Sequence, residues 1–454
     1  MNLIMEKSVC KESVGFSRLF SKTREVTRNN GLNGSFPKIY RFGLAPIMCG
    51  IIGVLISDHT QASALDQSGQ SILPFLENGH YFEANAFAVD ASVSGVVHDR
   101  PNLVRANQSR DTGDIGQNVQ FYTAALKLQL TDQFSFGLLY DQPFAAKTAY
   151  PLRPNNSYSD NDFSQEGTSV NVESQDLSFI FGYSPFKNFQ IYGGPVYQEV
   201  KGKASFRGMA YTEAFNGYEA NFKEKGELGW LAGVSYQIPE IALKAAVTYR
   251  SKIKYKFQVD ESIFGEPLQY VEAAKTTIET PQSVNIDFQT GVAENTIAYM
   301  NLRWVNWKDF NIRPTQYNAL TADYLDELTG GAYKEGVDLD SYQKDQYNAT
   351  IGIGHQFTEK WSFATDIGWD SGTGNPASTL GPMKGSWSMG LGAQFNPAQN
   401  YFIAAGVKYY WLGDAKSEDG AYYLPIDGIK EMAEQAEFKN NHAIAYGLKI
   451  GYHF

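Results

Sequence analysis

Thiols, membrane-spanning apolar runs and catalytic signatures are all scarce in this chain. Two cysteines occur in 454 residues, Cys10 and Cys49. Both precede the processing point argued below, so a chain cut there has no disulfide and no thiolate metal ligand. Beyond that point the histidines are His80, His98, His355, His442 and His453, scattered without the spacing of a metal site. G-x-S-x-G, H-E-x-x-H, P-loop and C-x-x-C signatures are absent, and "GLGAQF" at 390–395 lacks the third glycine of a dinucleotide fingerprint. These gaps exclude the commoner catalytic and nucleotide-binding classes, and no enzyme, cofactor or metal is expected. After residue 56 no stretch is apolar enough to cross a membrane as a helix.

What is abundant is aromatic: 28 Tyr and 29 Phe bring aromatics to 14%, yet mean hydropathy is −0.35. Many aromatics at low hydropathy suit strands that are apolar on one side only. The N-terminus stands apart. Lys38 and Arg41 precede the apolar run "FGLAPIMCGIIGVLI" at 42–56, and Ala62-Ser63-Ala64 follows. That is the layout of a secretory signal peptide, with cleavage between Ala64 and Leu65. A signal anchor is the alternative, although the run is short for a spanning helix. The residues ahead of the run are unusual for a signal and fit an upstream start codon. Removing 1–64 takes away 8 Lys+Arg and 4 Asp+Glu, and leaves 30 against 45, a net charge of −15. Nucleic acid is not an expected partner of so acidic a chain.

From residue 81 the sequence alternates with period two. "HAIAYGLKIGYHF" puts Ile444, Tyr446, Leu448, Ile450 and Tyr452 on one face and small or polar residues on the other. About fourteen such segments recur, near 81–97, 117–130, 134–147, 168–184, 188–205, 225–237 and 241–258, then 275–292, 296–311, 344–357, 361–371, 384–395, 400–413 and 438–454. Short connections such as "TDQ", "IPE", "AEN" and "TEK" alternate with long ones. Short turns at one end and long loops at the other are the pattern of an outer-membrane barrel. A soluble sandwich gives no reason for it. The expectation is an all-β, closed antiparallel barrel of about fourteen strands, because an open sheet edge in hydrocarbon would leave backbone groups unpaired. Its apolar face looks at lipid.

Four features could carry function, each beside a plainer reading. Pro143 in "FGLLYDQPFAAKT" cannot donate to a ladder, so the third strand is kinked there, or has already become a loop above the membrane. Phe144 and Ala145, beside it, would neither fill a gap nor repel apolar cargo. In "TYRSKIKYKF", Arg250, Lys252, Lys254 and Lys256 alternate with Ile253, Tyr255 and Phe257; the cations would face the lumen and draw in a carboxylate, or form an ordinary solvated ladder. Phe206, Met209, Tyr211, Phe215, Tyr218 and Phe222 in the third long loop, with Ile263, Phe264 and Leu268 in the fourth, make a greasy surface for binding or for mutual capping. In the fifth, Asp338 or Asp340 could hold a divalent cation, with a solvated acidic surface as the alternative.

The stretches "LDQSGQSILPFLENGHYFEANAFAVDASVSG", "YDQPFAAKT", "GWLAGVSYQIPEIALKAAVTYRS", "TPQSVNIDF", "LRWVNWKDF" and "EKWSFATDIGWDSG", in this order, resemble the FadL-type family of outer-membrane transporters for long-chain fatty acids and aromatic hydrocarbons. The resemblance implies three parts: 1–64 as extension and cleaved signal, 65–80 as a short N-terminal hatch inside the lumen, and 81–454 as a fourteen-stranded barrel. It implies passive transport of hydrophobic small molecules, foremost long-chain fatty acids. Cargo would be captured between the third and fourth loops and released sideways at the kink of the third strand. It further implies a monomer in contact with outer-membrane lipid and lipopolysaccharide, and Tyr452 and Phe454 as the signal read by the assembly machinery. The alternatives are a channel for neutral or aromatic hydrocarbons, a general porin, and an outer-membrane lipid hydrolase. Residues 65–79 are short for such a hatch.

Overall fold

The computed structural model describes residues 65–98, 110–153, 156–160, 164–418 and 435–454. The expected signal peptide and Ala64 lie outside the described residues. Fourteen antiparallel strands form a closed wall: β1 (Tyr81–Ser92), β2 (Val119–Gln129), β3 (Phe134–Asp141, then Ala145–Ala149), β4 (Ser169–Phe186), β5 (Phe189–Ser205), β6 (Tyr218–Ile238) and β7 (Leu243–Arg250). The circuit continues through β8 (Ser283–Ala293), β9 (Thr296–Val305), β10 (Gln346–Gln356), β11 (Trp361–Asp370), β12 (Ser386–Ala398), β13 (Tyr401–Leu412) and β14 (His442–His453). Closure is by β1, which pairs β2 on one side and β14 on the other, in register from Tyr81↔His453 to Ser92↔His442. No edge is left, as hydrocarbon requires.

The alternation sets the faces. Along β14, Tyr446, Leu448, Ile450 and Tyr452 point outward, Leu448 with 61% of its surface exposed, while Ala443, Ala445, Lys449 and Gly451 are buried in the lumen. Tight turns join β4 to β5 and β8 to β9, where Asn188 and Asn295 take the left-handed φ values of 75° and 53°. The wide loops gather at the opposite end and carry short elements. Helix α1 (Thr212–Phe215) lies in the loop after β5, and helix α2 (Thr315–Leu328) in the loop after β9. Pro314 sets the start of α2. The Glu261 carboxylate, from the loop after β7, accepts the N–H groups of Gln316 (2.9 Å) and Tyr317 (2.7 Å). A carboxylate there satisfies orphan donors and complements the helix dipole.

Residues 65–77 lie within the lumen. Ile72, Phe75 and Leu76, around a short 3-10 turn (Leu73–Leu76), are buried against Leu139, Ile180, Tyr192 and Leu231 of the wall. Glycines make the room. A Cβ on Gly137 would stand 2.4 Å from Phe75 Cδ2, and one on Gly182 would stand 2.9 Å from Phe75 Cζ. Buried ion pairs fix the segment: Arg303 binds Asp66 side-on, through Nε and Nη2 (2.8 and 3.0 Å), and Lys244 binds Glu77 (2.8 Å). Elsewhere in the lumen, Lys449–Glu83 (2.8 Å) and Lys408–Asp366 (2.9 Å) keep the interior polar and filled.

Candidate functional site

The third strand is broken at Pro143. Asp141 pairs with Asp176 of β4, but the next rung is Ala145↔Glu173. Three residues on β3 therefore oppose two on β4, which is a bulge, and a one-residue slip turns the faces over. Before the break Ser135, Leu139 and Asp141 point inward; after it Phe144 is buried and Lys147 is exposed. The Ser174 hydroxyl holds the bulge, accepting from Phe144 N–H and donating to Phe144 C=O, both at 2.8 Å.

The other side of β3 has a wider gap. Its ladder with β2 runs from Gln129↔Ser135 to Ala124↔Tyr140 and resumes as a single bridge at Gly116↔Thr148. Between these, 117–123 and 141–147 carry no ladder; a side chain substitutes, with Tyr122 N–H donating to Gln142 Oε1 at 2.8 Å. The bent segment pairs inward instead. Gln67 N–H donates to Pro143 C=O (2.7 Å) and Ala145 N–H to Leu65 C=O (2.8 Å), so the luminal segment adds a short strand to the kink.

Behind the gap lies a cavity of about 1450 Å³ of atom-free space, counting the part open to solvent. Val119, Phe121 and Ala146 line it at the break. Trp307 and Phe310, from the loop after β9, line it deeper in. Trp307 is fully buried and meets Phe144 edge to face, ring centres 5.7 Å apart, so the kink rests on it. A second cavity of about 670 Å³ lies among the loops, between Phe206, Tyr211 and Phe215 on one side and Tyr317, Tyr324 and Leu325 of α2 on the other. Leu339 and Ser378 line both cavities, so the two share a wall.

The expected site residues are divided by this geometry. Phe206, Tyr211 and Phe215 line the outer cavity; Phe206 stacks on Tyr211 at 4.2 Å. Tyr218 and Phe222 belong to β6, not to a loop, because β6 begins seven residues earlier than alternation alone suggests. Tyr218 donates to Glu261 (2.8 Å), and Phe222 lines the inner cavity. Ile263 and Leu268 pack partly buried against the upper core, whereas Met209 and Phe264 are exposed. The cation ladder is a correction. Arg250 is buried in the lumen, its guanidinium reaching Gln70 C=O (3.4 Å) and Ser178 Oγ (3.3 Å). Lys252, Lys254 and Lys256 face outward, and Lys252 and Lys254 both pair with Glu279, at 2.6 and 3.4 Å. The cause is an interruption at 251–252: Ile253–Phe257 leaves β7 and forms a separate ribbon with Thr276–Thr280, which reverses the inward side. Tyr255 and Phe257 thus meet the cavity, and the lysines do not. Asp338 is held by Arg313 (2.6 Å), and no cluster of three or more potential metal ligands occurs among the described residues.

Alternation could not point to Tyr342 or Leu380, which come from the loops after β9 and β11, whereas Trp307 and Phe310 fall inside the expected strand 296–311, which in fact ends at Val305 and releases both to the cavity wall. For α2 a signal does exist: Tyr317, Leu320, Thr321, Tyr324, Leu325 and Leu328 recur at helical spacing behind Pro314. At the C-terminus, Phe454 stacks on His80 (5.4 Å) and Tyr452 (5.8 Å) and is exposed.

A closed barrel with an apolar outer face, a filled lumen and an apolar cavity behind a break in its wall defines a multi-pass β-barrel of the Gram-negative outer membrane. Residues 71–454 match the family described as "Outer membrane protein transport protein (OMPP1/FadL/TodX)", and the chain belongs to that family. The long-chain fatty acid transport protein of Escherichia coli (strain K12) is 23% identical over 286 residues, 58% of this chain and 58% of that protein. That of Salmonella typhi is 23% identical over 241 residues, 50% and 49%. The chain thus spans somewhat over half the length of the curated relatives it matches. Among solved structures, a Pseudomonas aeruginosa FadL homologue superposes with a TM-score of 0.63 at 14% identity, covering 84% of this chain and 92% of that one. The Ralstonia pickettii toluene transporter TbuX gives 0.54 at 13% identity, covering 91% and 99%. The P. putida toluene transporter TodX gives 0.56 at 12%, covering 84% and 92%. These likenesses establish the fold.

Proposed function

We propose that this barrel passes neutral hydrophobic molecules, foremost aromatic hydrocarbons, across the outer membrane without an energy source. The observation that carries the reading is the inner cavity's wall: Phe121, Phe144, Phe222, Phe257, Trp307 and Phe310 surround it, while Lys252, Lys254 and Lys256 stand outside. Lys147, Lys201 and Lys203 also touch this wall; Lys201 and Lys203 are neutralised, by Glu173 (3.0 Å) and Glu219 (3.1 Å), and Lys147 is exposed. An apolar molecule gains about 25 cal/mol for each Å² removed from water. A fatty-acid head group finds here a single cation without an ion pair among the described residues, the exposed Lys147, on a wall whose other cations are neutralised, so little compensates it for losing water. Cargo enters the outer cavity between the third loop and α2, crosses to the inner cavity, and leaves sideways through the gap between β2 and β3. Downward passage meets the polar, ion-paired lumen.

Transport of long-chain fatty acids is the second reading. It is favoured by the names of the curated relatives, which share less than a quarter of their residues with this chain over the aligned part. Closure of the wall by one chain supports a monomer, and exposed Tyr452 and Phe454 support recognition of the last strand by the assembly machinery. The deciding test is uptake by a strain lacking its own such transporters and carrying this gene. Uptake of toluene without oleate is expected. Uptake of oleate without toluene overturns the hydrocarbon reading, and phospholipid hydrolysis by the pure protein would overturn transport itself.

A further inference from the structure

The wall shared by the two cavities contains one carboxylate that no cation neutralises among the described residues. Asp340 lies between Leu339 and the loop after β11, and it lines the inner cavity together with Ser378 and Leu380. Backbone pairing holds it, through the bridge Ile312↔Asp340, and Ser341 N–H donates to its Oδ1 at 3.1 Å. The Ser378 hydroxyl accepts from Leu380 N–H (3.2 Å) and donates to Asp340. The other acid of the cavity, Asp66, is spent on Arg303. Asp340 thus stands half-buried on an apolar surface, oriented by two donors, with acceptor capacity remaining.

Resting on the hydrocarbon reading of this cavity, we propose that Asp340 is a specificity-determining residue: it rejects carboxylate-bearing cargo and favours neutral aromatic cargo that carries a hydroxyl donor. A like charge brought to a desolvated carboxylate costs far more than in water. A phenolic hydroxyl, by contrast, supplies a charge-assisted hydrogen bond.

Burial pushes the Asp340 carboxyl up to about 6, against the opposing Ser378 and Ser341 hydrogen bonds and with a further push from Asp338. It is therefore ionised at neutral pH and neutral below about 6, and the rejection weakens as pH falls. The charged and titratable groups around it are few. Asp338 is neutralised by Arg313, Tyr342 is its neighbour in the wall, and Glu418 lines the outer cavity. Across the inner cavity stand the Asp66–Arg303 pair, Lys201 and Lys203 with their glutamates, and Lys147.

The test is calorimetric titration of the purified full chain in detergent with ethylbenzene, 4-ethylphenol and 4-ethylbenzoate, three probes of one shape. At about pH 7.5 we expect 4-ethylphenol to bind about tenfold tighter than 4-ethylbenzoate, a difference of roughly 1.4 kcal/mol. Asp340→Asn should strengthen 4-ethylbenzoate about fivefold or more while ethylbenzene stays within about twofold. In the wild type, lowering the pH to about 5 should move 4-ethylbenzoate the same way, and in Asp340→Asn it should not. If ethylbenzene binds but Asp340→Asn leaves 4-ethylbenzoate within about twofold of its wild-type affinity, the role of Asp340 is overturned and the cavity reading stands. If none of the three binds the wild type, both fall. A misfolded variant would show itself by losing ethylbenzene; Asp340→Ser, which also removes the charge, then carries the comparison, and an unchanged 4-ethylbenzoate affinity in that variant overturns the proposal equally.

Discussion

At the scale of single residues, Arg303 is the pivot of the luminal segment. Its guanidinium holds Asp66 by two contacts, Gly69 C=O at 3.2 Å and Gln70 Oε1 at 3.1 Å, all out of water. Removing one partner of such a pair strands the other charge, at about 3–5 kcal/mol. Asp66→Asn should therefore loosen 65–67 from the kink, and the Gln67 amide, bonded to Pro143 C=O, should exchange its hydrogen at least about tenfold faster. An unchanged exchange rate would mean that the short backbone ladder alone holds the segment. The opposite is expected of Lys252→Gln with Lys254→Gln. Exposed pairs contribute about 0–1 kcal/mol, and both lysines point away from the cavity. Uptake of toluene should stay within about twofold of the wild type; a sharp fall would place a lysine on the cargo path.

At the scale of elements, period two is enough to locate all fourteen strands, because each must show one apolar face to lipid over its whole membrane crossing. The same rule misplaces side chains wherever a strand is interrupted. One parity is assumed from Arg250 to Lys256, but the break at 251–252 inverts it; the bulge at Pro143 does the same to β3. Loop residues such as Tyr342 and Leu380 reach the cavity by tertiary placement that no local pattern encodes. Pro143 is the interruption that sequence marks openly, since proline cannot serve a central ladder. Its energetic part can be tested by count. Three residues face two across the bulge, so deleting Pro143 leaves two facing two and restores one register along β3 and β4. The expected outcome is a barrel that still folds and still changes mobility on heating in gels, with the β2–β3 gap zipped and hydrocarbon uptake reduced about tenfold or more. Normal uptake through the straightened strand would move the exit elsewhere.

At the scale of the whole molecule, the issue is why a barrel of this size should leak neither ions nor solutes. Sixteen- and eighteen-stranded barrels leave an aqueous channel, whereas narrower ones are filled by side chains or plugged. Here the filling comes from both sources. Residues 65–77 pack Ile72, Phe75 and Leu76 against β3–β6, and elsewhere in the lumen Lys449–Glu83 and Lys408–Asp366 form buried pairs. The purified protein in planar bilayers should accordingly show no large, steady conductance; a steady ohmic current would make it a general porin instead. Deleting 65–79 should open that current. The deleted stretch contains two acids, Asp66 and Glu77, and no base. It leaves Arg303 without Asp66 and Lys244 without Glu77, both facing the emptied lumen. Two uncompensated cations in a confined, low-dielectric pore attract counter-ions strongly. The opened channel should therefore prefer chloride over potassium, and a reversal potential measured across a salt gradient reads this directly. Adding Arg303→Gln and Lys244→Gln to the deletion should abolish the preference while the current remains. A deleted barrel that conducts without anion preference would mean that these two cations do not face the path the ions take.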